Sequence, residues 1–192
     1  MNLNRFKRWA SCAALAAAGL LSAPAQAETV TVTLDVSGIA SNNEFGLPGN
    51  EVRSLLIGAW SYVVGIGWDV SLSTVGISFL DEIGVSFIGD GASVDLYPAI
   101  AEMTPGSGSF SSGGVLDLLA LDAGFHVDGG GLLNLEFFDR VNDIDGADAF
   151  WRQGQLTIVY NTPEPASLAL AGLALAGALG ASRRRAKAAP SA

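Results

Sequence analysis

The densest set of oxygen ligands in the chain lies in ten consecutive residues, Asp139-Arg140-Val141-Asn142-Asp143-Ile144-Asp145-Gly146-Ala147-Asp148. Calcium takes about six to eight oxygens from a loop able to fold around it, and Gly146 permits the tight turn that such a loop needs. If calcium binds, Asp139, Asp143, Asp145 and Asp148 are the residues expected to hold it. Val141 breaks the EF-hand pattern, so this would be a different kind of calcium loop. The alternative is a solvated acidic loop with Arg140 and Arg152 as its internal partners.

Other chemistries find less support. His126 is the sole histidine, and Asp128, two residues on, shares its face on any strand. A serine triad would add an activated serine, but there is no Gly-x-Ser-x-Gly elbow, and Ser107 stands in a glycine-rich stretch without strand-to-helix context. One histidine, and one cysteine (Cys12) in a removable segment, cannot fill a usual zinc site. Paired carboxylates for glycoside hydrolysis are available in number, yet Trp60 and Trp68 lie in apolar strand contexts and are expected in the core rather than on a sugar platform. The glycine clusters read as turns, not phosphate cradles. No enzyme is expected.

The elements that must position these residues read as strands. Thr29-Val30-Thr31-Val32-Thr33-Leu34-Asp35-Val36 alternates polar and apolar residues, the signature of a half-buried strand with Val30, Val32 and Leu34 on one side. Further strands are predicted at 51–59, 60–72, 83–88, 93–97, 115–121, 132–138 and 155–160, with 98–114 as a long loop. About eight short strands separated by glycine-rich turns predict an all-β domain, an antiparallel β-sandwich or jelly roll, over residues 28–160. Residues 115–160 faintly resemble the end of P-domain-like jelly rolls, in which an acidic loop precedes a last strand like Gly154-Gln155-Leu156-Thr157-Ile158.

That core carries three arginines, no lysine and 18 acidic residues, a net charge of −15. Such a surface repels nucleic acid phosphates and anionic lipids, so no nucleic acid partner is expected. The remaining basic residues sit at the two ends. Arg5, Lys7 and Arg8 precede a short apolar run, and Ala25 and Ala27 then form an A-x-A site for signal peptidase, with Glu28 as the new N-terminus. Residues 1–27 therefore read as a signal peptide with a helical centre. At the other end, Pro163-Glu164-Pro165 precedes 16 uncharged residues, 166–181, made of seven Ala, five Leu, three Gly and one Ser. A helix of this length spans about 24 Å, enough for a membrane once flanking residues snorkel. Arg183, Arg184, Arg185 and Lys187 follow as a basic stop on the cytoplasmic side, before a short tail at 188–192.

The order Pro-Glu-Pro, Ala/Leu/Gly helix and arginine cluster resembles the PEP-CTERM sorting signal, also named the ice-binding protein C-terminal domain, over residues 161–187. The resemblance implies that an exosortase recognises Pro163, Glu164 and Pro165 and processes the chain, releasing it or transferring it beyond the inner membrane, in an exopolysaccharide-producing Gram-negative bacterium. It further implies a transient inner-membrane anchor, then a place at the cell surface or in the extracellular matrix, with exopolysaccharide as a partner in biofilm formation. A structural or adhesive role follows from that setting. The alternatives are a calcium-assisted carbohydrate-binding module, which needs an exposed aromatic row, and a hydrolase, which needs two facing carboxylates in a cleft.

Overall fold

In the computed structural model, which describes residues 27–163, the opening alternation becomes strand β1 (Thr29–Asp35). Val30, Val32 and Leu34 turn toward the core together while the threonines between them face solvent. Burying one face of an alternating strand fixes its register, because a one-residue slip would bury the threonines instead.

Ten strands follow: β2 (Ile39–Ser41), β3 (Glu51–Leu56), β4 (Tyr62–Thr74), β5 (Ile83–Ile88), β6 (Ser93–Leu96), β7 (Ser107–Ser111), β8 (Leu116–Asp117), β9 (Phe125–His126), β10 (Leu132–Asp139) and β11 (Ala149–Asn161). A 3-10 turn, Leu80–Glu82, leads into β5. All strand pairs are antiparallel. The first sheet runs β1-β11-β4, with β7, β8 and β9 along the free edge of β4 and β2 beside the start of β11. The second runs β3-β10-β5-β6. Counting β7–β9 as one interrupted strand and β2 as an extension of β1, four strands face four, and the chain repeatedly crosses between sheets. This is a jelly roll, as predicted.

The inner faces meet in a continuous apolar core. Ile66, Val70, Leu72, Leu156 and Ile158 come from the first sheet, Val85, Phe87, Leu133, Leu135 and Phe137 from the second, and all are buried. Trp151 is the largest of the buried side chains. Its ring meets Phe137 edge-on at 5.2 Å, and its Nε1 donates to Ser41 Oγ at 3.2 Å. The indole is thus both packed and hydrogen-bonded, as a buried tryptophan requires.

Several expectations are corrected. The predicted loop at 98–114 contains β7, whose Ser-Gly-Ser-Phe-Ser pairs with Asp69–Ser73 of β4. Backbone pairing on an edge needs no apolar run, so that strand has little sequence signal. The predicted strand at 115–121 shrinks to Leu116–Asp117, leaving Leu119 and Leu121 exposed. Trp60 is not in the core: it occupies a tight turn with φ +60° and is 58% exposed. The last strand begins at Ala149, well before 155, because a bulge lets it continue. Arg152 is the extra residue in that bulge, and Gly154 has φ +114°, where a Cβ would stand 2.2 Å from the Asp69 carbonyl oxygen. The expected signal helix and the helix at 166–181 lie outside the described residues. Among those described, no helix is long and apolar enough to cross a membrane.

Candidate functional site: an acidic pole and a sorting tail

Strand β10 places Leu133, Leu135 and Phe137 inward, and the same alternation carries Asp139 into the interior at the sheet's end. Asp139 is fully buried. Its Oδ1 accepts from the Val141 amide at 3.3 Å, while Oδ2 has no partner. Asp148, just before β11, is equally buried. Its Oδ1 accepts from the amides of Asp143 and Ile144 and from Ser78 Oγ, but its Oδ2 is also unpartnered. The 3-10 turn adds Asp81 and Glu82, both buried, and Asp81 Oδ1 is a third oxygen without a partner.

Glu136 shows what a satisfied buried carboxylate looks like in this protein. Its Oε1 accepts from the Gly46 amide at 2.7 Å and from Asn50 Nδ2 at 2.8 Å. No such donors serve the free oxygens of Asp139 and Asp148. Burial pushes the Asp139 carboxyl up to about 7, and the charges of Asp148, Glu82 and Asp143 add to the rise against the Val141 amide. Burial likewise raises Asp148, although the amides of Asp143 and Ile144 and the Ser78 hydroxyl oppose it. Positive charge is scarce nearby. Arg140 reaches Asp81 Oδ2 at 3.5 Å with a half-exposed guanidinium that also lies over the Tyr97 ring.

Of the four predicted calcium ligands, Asp143 and Asp148 share Ser78 Oγ, and Asp139 lies near enough for the charges of both to raise it. Asp145 is exposed beside Gly146, the φ +106° turn. Arg152, expected as a partner of this loop, instead donates to Ser73 Oγ and lies over the Phe150 ring. Spacing along the chain did not reveal Asp81, Glu82 or Ser78, which come from a segment about 60 residues upstream. Among the described residues no three acidic, histidine or cysteine side chains already stand as a metal-holding group.

The other chemical candidates stay apart from this pole. His126 is exposed on β9, packs at a 42° tilt against Tyr62 with ring centroids 4.4 Å apart, and has Nδ1 3.2 Å from the Trp60 carbonyl oxygen. Asp128 caps its own turn by accepting from the amides of Gly130 and Gly131. A polar groove of about 510 Å³ opens on the outer face of β1, β11 and β4, lined by Asp35, Ser37, Asp69, Ser71, Gln153 and Gln155. Asp35, Gln155 and Asp69 form one cross-strand row. Two strand spacings put the acidic positions about 10 Å apart. Hydrogen bonds from the Ser37 hydroxyl and amide hold Asp35 below the usual carboxylate range, the opposite of what a general acid needs.

The two ends of the domain leave side by side. Thr29 pairs with Asn161 through the register, and Thr29 Oγ1 donates to Asn161 Oδ1 at 2.7 Å. The Thr162 amide donates to the Glu28 carbonyl at 2.9 Å, leaving Ala27, Glu28 and Pro163 exposed. A family model described as the PEP-CTERM protein-sorting motif matches residues 161–185, beginning at the last residue of β11. The tail is a PEP-CTERM sorting motif. It marks an exported protein directed to an exosortase. Within the PEP-CTERM tail, Glu164, Pro165, Arg183, Arg184, Arg185 and Lys187 lie outside the described residues, as does Ala25 at the other end.

No curated protein matches the chain. Among solved structures it is similar to an infectious bursal disease virus Gt strain protein at 14% identity, with TM-score 0.36, covering 70% of this chain and 33% of that one. It is similar also to the tobacco streak virus coat protein at 12% identity, with TM-score 0.26, covering 71% and 87%. The chain thus spans a third of the first of these.

Proposed function

We propose that the jelly roll is the mature cargo of its sorting tail and serves as a structural or adhesive component of the cell surface or extracellular polysaccharide matrix. The observation that carries this reading is the junction at Asn161, where the last strand of the domain passes directly into the PEP-CTERM motif. With Glu28 and Thr162 hydrogen-bonded, signal peptidase and exosortase would trim two neighbouring ends without opening the fold. The strongly acidic core disfavours anionic lipid and nucleic acid as partners and suits a hydrated, cation-containing polysaccharide. No catalytic role is assigned.

A carbohydrate-binding module is the second reading, favoured by the polar groove over β1, β11 and β4. Its lining residues include no aromatic ring, and the exposed aromatics Trp60, Phe45 and Phe79 do not line it. A hydrolase acting in that groove would use the Asp35 and Asp69 pair, whose spacing of about 10 Å is at the wide limit for inverting glycosidases.

Cell fractionation with antibody to the jelly roll tests the matrix role. The protein should co-sediment with washed cells and polysaccharide and come free when the polysaccharide is degraded. Finding it wholly soluble in the culture medium would contradict that role.

A further inference from the structure

The buried acidic pole is costly as it stands. An ionised carboxylate oxygen taken out of water without a donor is destabilising, and the described residues hold three such oxygens, on Asp139, Asp148 and Asp81, of which only Asp81 has an arginine on its other oxygen. Glu136, three residues before Asp139 on the same strand, receives an amide and a side-chain donor, whereas Asp139 and Asp148 each keep one buried oxygen that receives none. What the pole lacks is a cation.

We propose that Asp139 and Asp148 are the buried ligands of a calcium ion, with Asp143, Glu82 and the Ser78 hydroxyl beside them. The ion would tie the β10–β11 loop to the turn before β5. Three observations carry this. The free oxygens of Asp139 and Asp148 are fully buried and unpartnered. The side chains around them that could ligate are carboxylates and a hydroxyl, the hard donor set that suits calcium and not a soft metal. The loop between them turns at Gly146, so Asp143 can be drawn inward without moving a strand. A ligand shell of about six to eight oxygens is then reached with carbonyls and water. Asp145, which the sequence placed among the ligands, is exposed and is left outside the proposed shell.

The exported protein, purified with chelator and divided, provides the test. Its unfolding temperature should rise by about 5 °C or more in 1 mM calcium relative to chelator, and far less in 1 mM magnesium, which accepts such irregular shells poorly. Asp148→Asn, which keeps the Oδ1 acceptor, should abolish the rise, while Asp145→Asn should retain it. Asp139→Asn should be at least as stable as the unaltered protein in chelator yet gain nothing from calcium. Should Asp139→Asn fail to fold, calorimetric titration of the unaltered protein decides, with one calcium per chain bound with a Kd at or below about 0.1 mM, the tight end of the range of extracellular modules. Equal unfolding temperatures in calcium and chelator, equal loss of the rise in Asp145→Asn, or no calorimetric heat would each overturn the site.

Discussion

Replacing Trp151 by alanine should destabilise the exported domain by about 3–5 kcal/mol, the cost of deleting a large buried aromatic. The indole is fully buried, meets Phe137 edge-on, and satisfies Ser41 at the point where β2 joins β11. Its loss removes the edge contact to Phe137 of the second sheet and leaves a large cavity next to the bulge at Arg152. For a domain whose total stability is about 5–15 kcal/mol, the variant should be largely unfolded under mild urea. Trp60→Ala should cost less than about 1 kcal/mol, because that ring is mostly in solvent, beside Gly129. Urea titration followed by far-ultraviolet circular dichroism compares them. Similar midpoints for the two variants would contradict the assignment of the core.

Trp60 and Trp151 also show where the sequence is legible. Trp60 follows Gly58-Ala59 in an apolar run and looks like a core residue, but its positive φ places it in a turn, and backbone angles leave no hydropathy trace. The alternation of β1 is readable because one face is buried and the other is not. The nearly continuous burial of β5 and β10 is readable as apolar runs. Strand β7 is not: serine and glycine there are held by backbone pairing to β4, and the partner lies about 40 residues away.

The acidic pole divides the same way. Asp139, Asp143 and Asp148 cluster in sequence and in space, so the local half was visible. Glu82 and Ser78 arrive through the jelly-roll crossover from β4 to β5, which no spacing rule reports. Asp145 differs from its neighbours only in burial, and that is a property of the fold. The sorting tail was read whole because it is a linear signal, recognised through consecutive residues.

That linearity makes the second large effect simple to state. Changing Pro163-Glu164-Pro165 to three alanines should abolish processing, so that the full-length protein accumulates in the inner membrane and the released form disappears. Prolines disfavour helix in themselves and in the residue before them, which suits a segment presented to a protease, and Pro163, just beyond β11, is exposed. Neutralising Arg183, Arg184 and Arg185 should fail differently. Each arginine costs about 2.5–3.5 kcal/mol at a helix centre on insertion scales, so the cluster is a strong barrier to translocation. Without it, some protein should slip through uncut. A tag placed before Asn161 distinguishes the two outcomes on a fractionation blot, because the alanine variant is retained in the membrane and the neutralised variant escapes at full length.

The intact mass of the exported protein tests the processing most directly. The predicted mass corresponds to a chain that begins at Glu28 and ends before Ala166, with both processing segments gone and the jelly roll entire. An exported chain whose mass includes residues 166–192 would show that the PEP-CTERM tail is not cut, and would contradict the route described for this protein.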